Sequence, residues 1–187
     1  KILKKLTQSG YESYLVGGCI RDILLGHKPK DFDIATNATP EQIHKLFKRS
    51  RIIGRRFKLV HIMFSARKFI EVATFRAGKV KTSNDGLVIR DNYYGSLKDD
   101  VFRRDFTVNG LYYDINKSEV IDYVGGLKDL KILKINMIGN PSERFEEDPV
   151  RMIRAVRFQA KLNATLDPKL NEDILKNSQL LANIPPA

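Results

Sequence analysis

The sequence predicts an α+β fold, with a strand-rich head over residues 1–144 and an all-helical neck over residues 145–187. Three observations carry that expectation. An apolar strand ending in Leu15-Val16 runs into the glycine pair Gly17-Gly18 and then into a helix start at Arg21-Asp22. A second short strand, Lys30-Asp31-Phe32-Asp33-Ile34, follows and carries two carboxylates two residues apart. Near Phe145 the pattern changes from strand-rich to helical, although composition marks no linker there.

Residues 2–9 read as a helix closed by Gly10. Tyr14 to Val16 is the first strand, and Arg21 to Leu25 a short helix ended by Gly26. His27-Lys28-Pro29-Lys30 is a polar turn that delivers Asp31. Thr39-Pro40-Glu41-Gln42 is a helix-start signature, with Thr39 as N-cap and Gln42 positioned to complete a capping box. That helix runs to about Phe47 and turns Ile43, Leu46 and Phe47 to the core. Leu59 to Phe64 and Phe69 to Arg76 are two strands joined by a turn around Ala66. Residues 77–90 are polar, with Ser83-Asn84-Asp85-Gly86 as the tip of a loop.

Beyond the loop, Asp105 can N-cap a helix running to about Tyr113. Glu119 to Tyr123 and Lys134 to Ile138 read as strands, with Gly125-Gly126 as a turn between them. The stretch from Glu146 to Arg154 opens the largest helix, with acidic residues in its first turn and Pro149 just inside. On such a helix Asp148 and Arg151 are neighbours, and Ile153, Val156 and Ala160 form the buried stripe. Asp167-Pro168 starts a further helix to about Lys176.

Charge narrows the function classes. The 187 residues carry 33 Lys and Arg against 22 Asp and Glu, a formal net charge of +11. Such an excess favours polyanions. Seven basic residues and no acidic one lie from Lys45 to Lys58, among them Arg55, Arg56 and Lys58. The run is either a solvated face or a phosphate-contacting edge, and its closeness in sequence to Asp31 and Asp33 favours the edge. One cysteine excludes a disulfide framework within the chain. His27, His44 and His61 are too scattered for a metal cluster. No apolar run approaches the roughly 18 residues of a membrane span, no signal peptide is visible, and the expected location is the cytoplasm. The chain opens at Lys1 without a methionine, so the expectation is a fragment.

The acidic residues are the exception in this basic chain. If residues 31–34 are a strand, Asp31 and Asp33 share one face, about 6–7 Å apart, a spacing that suits a pair of hard cations. Two-metal phosphoryl-transfer sites hold their ions about 3.5–4 Å apart. The glycine pair lets backbone N–H groups approach a phosphate. Glu71, flanked by apolar neighbours, needs a partner; it is either a third acidic member of this site or a rim residue on a half-exposed strand.

Three motifs in order resemble the nucleotidyltransferase superfamily, and in particular the class II tRNA nucleotidyltransferase/poly(A) polymerase family. They are Gly17-Gly18-Cys19-Ile20-Arg21-Asp22 with Asp31-Phe32-Asp33, then Arg103-Arg104-Asp105-Phe106-Thr107-Val108-Asn109, then Glu147-Asp148-Pro149-Val150-Arg151-Met152-Ile153-Arg154. The resemblance covers nearly the whole chain. It implies a polymerase beta-like head with a mixed, largely antiparallel sheet flanked by helices, and a helical neck. It implies that Asp31 and Asp33 bind two magnesium ions (Mg2+), that Asp105 and Glu71 are catalytic, and that Gly17, Gly18, Arg21, Arg104 and Asn109 bind the nucleotide. Asp148 and Arg151 match the pair that reads the incoming base, and Arg154 a further nucleotide contact. The implied neck packs this pair against the nucleotide site.

The implied partners are ATP and RNA 3′ ends, with Arg55, Arg56 and Lys58 on the RNA, and the implied reaction adds AMP to those ends without a template. The CCA-adding enzymes of the same family, which use CTP before ATP on tRNA, are the alternative. Gly54-Arg55-Arg56-Phe57-Lys58-Leu59-Val60-His61 is more similar to the poly(A) polymerase branch. A non-catalytic RNA-binding module would fit the net charge but gives no reason for Asp31, Asp33 and Glu71 to gather. A nucleotidyltransferase acting on a small molecule or a protein leaves the base-reading pair and the basic edge without a role.

Overall fold

A computed structural model describes residues 1–55, 57–65, 68–77 and 94–183. In chain order the elements are α1 (Ile2–Gln8), β1 (Ser13–Val16), α2 (Gly18–Leu24), β2 (Asp33–Thr36), α3 (Pro40–Leu46), β3 (Ser50–Ile53), β4 (Leu59–Met63), β5 (Phe69–Thr74) and α4 (Leu97–Phe102). A 3₁₀ turn (Thr107–Asn109) leads to β6 (Tyr112–Asp114), β7 (Glu119–Ile121), α5 (Gly126–Lys131), β8 (Lys134–Ile135) and α6 (Pro141–Glu147). The chain then forms α7 (Val150–Leu162), β9 (Thr165–Leu166), α8 (Pro168–Lys176) and a closing 3₁₀ segment (Ser178–Asn183). It divides into two compact units, residues 1–103 with 112–121, and residues 104–111 with 122–187.

Among the described residues the first unit is built on a sheet of seven strands in the order β3-β4-β5-β2-β1-β6-β7. Only β2 and β5 run parallel, and every other neighbouring pair is antiparallel, so the sheet is mixed and largely antiparallel as the family resemblance implies. Alternation decides its core face. Val60 and Ile62 of β4 and Val72 of β5 point inward and pack with Ile34, Ile43 and the α1 residues Ile2, Leu3 and Leu6. The capping box of α3 forms as the sequence predicts, with Thr39 Oγ1 accepting from Gln42 N and Gln42 Oε1 accepting from Thr39 N.

Among the described residues the second unit contains four helices and a two-stranded parallel sheet in which β8 pairs with β9, so residues 145–183 are mainly helical, with short junctions and Thr165–Leu166 between the helices. Gly126 begins α5 where a Cβ would lie 2.2 Å from Thr107 O, a position that only glycine can occupy.

Several sequence expectations are corrected. No helix runs from Asp105 to Tyr113. Thr107 N donates to Asn136 O, a short 3₁₀ turn follows, and Tyr112 instead extends the sheet beside Val16. The stretch from Glu146 is not one helix start, because Asn140 caps α6 at Pro141 and α7 begins only at Val150. Asp148 is therefore outside α7, at the junction of two helices, and not beside Arg151 on one helical surface. The buried face of α7 is Met152, Ala155, Phe158 and Leu162, while Ile153 and Val156 are each about half exposed. Sequence reasoning also missed β3, α4, α5 and α6. The turn at Ala66 and the loop tip at residues 83–86 lie outside the described residues.

Candidate functional site

The first unit presents a cleft of about 730 Å³ lined by Lys30, Asp31, Phe32, Asp33, Phe64, Lys68, Phe69, Ile70 and Glu71. Its floor follows from strand register. Asp33 stands opposite Glu71 in the parallel β2–β5 pair, Glu71 opposite His61, and His61 opposite Arg51. Directly opposed residues project from the same face, so Arg51, His61, Glu71 and Asp33 form a row across four strands. His61 Nε2 lies 3.6 Å from Glu71 Oε2, and its ring stacks on Phe69 with centroids 3.8 Å apart and planes 12° from parallel.

Asp31 lies in the cleft but not on the strand. β1 ends at Val16, whose partner is Asp33, because Gly17 turns the chain away with φ 71° and ψ −133°. β2 begins at Asp33, level with the end of β1, and Asp31 sits in the segment before it. The strand-face argument for the two carboxylates therefore fails, although the cleft brings them together with Glu71 by another route. Both aspartates are exposed. Among the described residues no group of three or more His, Cys, Asp and Glu side chains is gathered to hold a metal ion.

Beside the cleft's first strand, Gly17 caps α2 and Gly18 begins it. Arg21 on this helix is buried and pairs with Asp22, with Nε at 2.8 Å and Nη2 at 2.6 Å from Oδ1. Burial pushes the Cys19 thiol up from its ordinary value and its Sγ donates to Val16 O, so it packs rather than reacts. In the basic run, Arg55 is exposed, Lys58 pairs with Glu41 at 3.1 Å, and Arg56 lies outside the described residues.

The second unit gathers the remaining sequence-predicted residues around one carboxylate. Asp105 Oδ1 accepts from Phe106 N at 2.8 Å and from Asn109 Nδ2 at 3.3 Å. Its Oδ2 accepts from Arg154 Nε at 2.7 Å and lies 2.6 Å from Nη2. Arg104 Nη1 donates to Asn109 O, and Arg144 Nη2 donates to Arg104 O. Arg151 Nη1 donates to Glu147 Oε2 and to Arg144 O, whereas the Asp148 carboxylate accepts from Val150 N. Arg151 is thus tied to Glu147, and Asp148 to the backbone that starts α7.

Sequence reasoning missed His61, Phe64, Phe69, Lys30 and Lys68 as site residues, and held Arg51 only as one of the basic run, without its place level with Asp33. Only strand register could have placed His61 and Arg51, since they lie far in sequence from Asp33 but level with it across the sheet.

Comparison with known proteins bears on what this arrangement does. Residues 13–136 match the family described as the poly A polymerase head domain. Poly(A) polymerase I of Haemophilus influenzae is 53% identical over 195 residues, and that of Salmonella typhimurium 52% over 196. The match takes in all of this chain and 43% and 42% of those proteins, so the chain spans less than half the length of the curated relatives it matches. The CCA-adding enzyme of Bacillus pumilus is 39% identical over 98% of this chain and 45% of its own length. Among solved structures, the Bacillus stearothermophilus CCA-adding enzyme in complex with CTP superposes with a TM-score of 0.87 at 36% identity, covering 98% of this chain and 44% of that one.

Proposed function

Because the chain belongs to the poly A polymerase head domain family, we propose that it forms the catalytic part of an enzyme that adds AMP from ATP to RNA 3′ ends without a template. In that reaction the terminal 3′-oxygen attacks the α-phosphorus of ATP, the bond to the β-phosphate oxygen breaks, and pyrophosphate leaves. The observation that carries the reading is the single cleft whose lining includes Asp31, Asp33 and Glu71 within a chain of net charge +11.

Nucleotidyltransferases of this family generally use divalent metal ions. The donor set here fits magnesium, which takes one or two carboxylates and completes its shell with water and substrate phosphates rather than a full protein cage. Asp31 and Asp33 would hold two such ions. The chemistry they would supply when bound is activation of the 3′-hydroxyl and neutralisation of the triphosphate charge.

The chain's own residues bind and orient. Backbone N–H groups at Gly17 and Gly18, with Arg21, would face the nucleotide phosphates and ribose. Glu71, with His61 Nε2 3.6 Å from its Oε2, would add negative charge beside Asp33. Asp105 fixes Arg154 and Asn109, and these with Arg104 would position the nucleotide. Asp148 can accept from the exocyclic amino group of adenine, and Arg151 has N–H donors left for ring acceptors after its bonds to Glu147 and Arg144 O. Arg55, Arg56 and Lys58 would meet RNA phosphates. The higher identity to poly(A) polymerase I, 52–53% against 37–39% for CCA-adding enzymes, supports ATP over mixed CTP and ATP use.

Primer extension tests the proposal, using an unstructured RNA, magnesium and one nucleoside triphosphate at a time. A ladder of added A, absent in Asp33→Ala, is the expected result. Addition of C that stops after two nucleotides, confined to tRNA ends, would replace the poly(A) reading with the CCA-adding one.

A further inference from the structure

The transfer cleft contains more exposed aromatic surface than metal or phosphate binding requires. Phe64 is 53% exposed, Phe69 47% and Phe32 40%, and all three line the cavity that holds Asp31 and Asp33. Large apolar rings left in water contribute little to folding, and their concentration at one polar site marks an interaction surface. One ring is already preorganised, because His61 stacks on Phe69 while Phe69 remains about half open. Lys30 and Lys68, both exposed, line the same cleft.

We propose that Phe69, backed by His61, together with Phe64 forms a stacking platform for the 3′-terminal bases of a single-stranded RNA acceptor, with Lys30 and Lys68 beside its phosphates. The inference rests on reading the cleft as the transfer site and assigns the acceptor a place in it. Three arguments select the acceptor. Its 3′-hydroxyl must reach Asp31 and Asp33, so its last nucleotides must enter this cleft. Ring stacking is indifferent to base identity, which suits an acceptor whose terminal base differs from one RNA to the next. The incoming nucleotide must instead be selected, and stacking cannot select it. The lysines complement a phosphate backbone, whereas an apolar protein segment would leave them unmatched.

Equilibrium binding of a short oligo(A) RNA with 2-aminopurine as its 3′-terminal base, blocked as the 3′-deoxy form, tests this. Stacking on Phe69 quenches 2-aminopurine emission. The expected result is quenching by the unsubstituted chain, loss of quenching in Phe69→Ala with an affinity about 5- to 100-fold weaker, a smaller loss in Phe64→Ala, and recovery in Phe69→Trp. In steady-state primer extension Phe69→Ala raises KM for RNA and leaves KM for ATP unchanged. Quenching and affinity in Phe69→Ala equal to those of the unsubstituted chain would overturn the platform, as would failure of the unsubstituted chain to bind the RNA. The two readings separate cleanly. Quenching that depends on Phe69 without any nucleotide addition removes the transfer reading and keeps the platform. Addition that depends on Asp33 but is indifferent to Phe69 does the reverse.

Discussion

Asp33 and Asp105 are both carboxylates singled out by motif, and the fold treats them in opposite ways. Asp33 stands at the first residue of β2, exposed, in a cleft it shares with Asp31 and Glu71. Asp105 has a side chain only 10% exposed, and its two oxygens accept from Phe106 N, Asn109 and Arg154. A buried carboxylate must be satisfied by the protein or it destabilises the fold. An exposed one can be left for a ligand. The first setting therefore leaves Asp33 facing solvent in the cleft, and the second is satisfied within its own unit by the arginine and asparagine that it fixes.

The sharpest way to break this contrast is to remove each charge and read activity and stability together. Asp33→Ala is expected to lower the primer-extension rate by about 10³-fold or more, since a metal-holding carboxylate supports several kcal/mol of transition-state stabilisation. The thermal melting temperature should fall little, because Asp33 is exposed. A large drop in melting temperature with activity retained would show that Asp33 is structural.

A second contrast lies within α7, whose two apolar stripes look alike in sequence. Met152 is 1% exposed and Ile153 53%. Met152→Ala should destabilise by about 2–5 kcal/mol, whereas Ile153→Ala should stay within about 0.5 kcal/mol, both read by chemical denaturation. Equal losses would mean that the exposed stripe is covered in solution.

Asp105→Ala comes next, at about 1–3 kcal/mol, because Arg154 and Asn109 lose their acceptor together. Asp105→Asn should recover part of that loss through the Phe106 N bond without restoring the ion pair. Recovery of activity in step with stability would assign Asp105 a positioning role; stability without activity would assign the charge itself a role at the nucleotide.

Much of this was legible in advance, for physical reasons that differ by residue. The capping box at Thr39 and the Asp167-Pro168 helix start are local signals, set by hydrogen bonds between near neighbours in sequence, and they emerge as read; the strand into Gly17-Gly18 also emerges, though its partners Asp33 and Tyr112 are remote. Glu71 was found because a carboxylate among apolar neighbours is locally anomalous. Asp31 lines the cleft with Asp33 but precedes β2, so the two carboxylates do not share a strand face. The Asp105 helix failed because Asn136 and Val16, remote in sequence, captured the backbone that a helix would have used. In α7, Met152 and Ile153 belong to stripes of equal period, and only tertiary packing chooses between them. His61 carried no local signal and Arg51 only that of the basic run, because their place in the row with Glu71 exists only through register.

The smallest loss expected from removing a carboxylate concerns a purely structural one, Asp167, the limit that Asp105 approaches. Its Oδ1 accepts from Lys169 N to cap α8, and its Oδ2 lies 2.6 Å from Lys134 Nζ on β8, tying the helix start to the small sheet. The Lys134 ammonium holds the Asp167 carboxyl below the usual aspartate value, and Asp167 in turn raises Lys134. A depressed carboxyl stabilises above its unfolded pKa of about 3.9 and loses that contribution as pH falls through the lower folded value. Asp167→Ala should therefore cost about 0.5–2 kcal/mol at neutral pH, with no effect on primer extension beyond that loss. The gap from the unsubstituted chain should narrow only below about pH 4, where the unfolded carboxyl takes up its proton first. Lys134 has the opposite sign: its contribution is present at neutral pH and fades as pH rises through its raised value. A gap that stayed constant from neutral to acid pH would mean that capping alone, without the ion pair, holds the helix start.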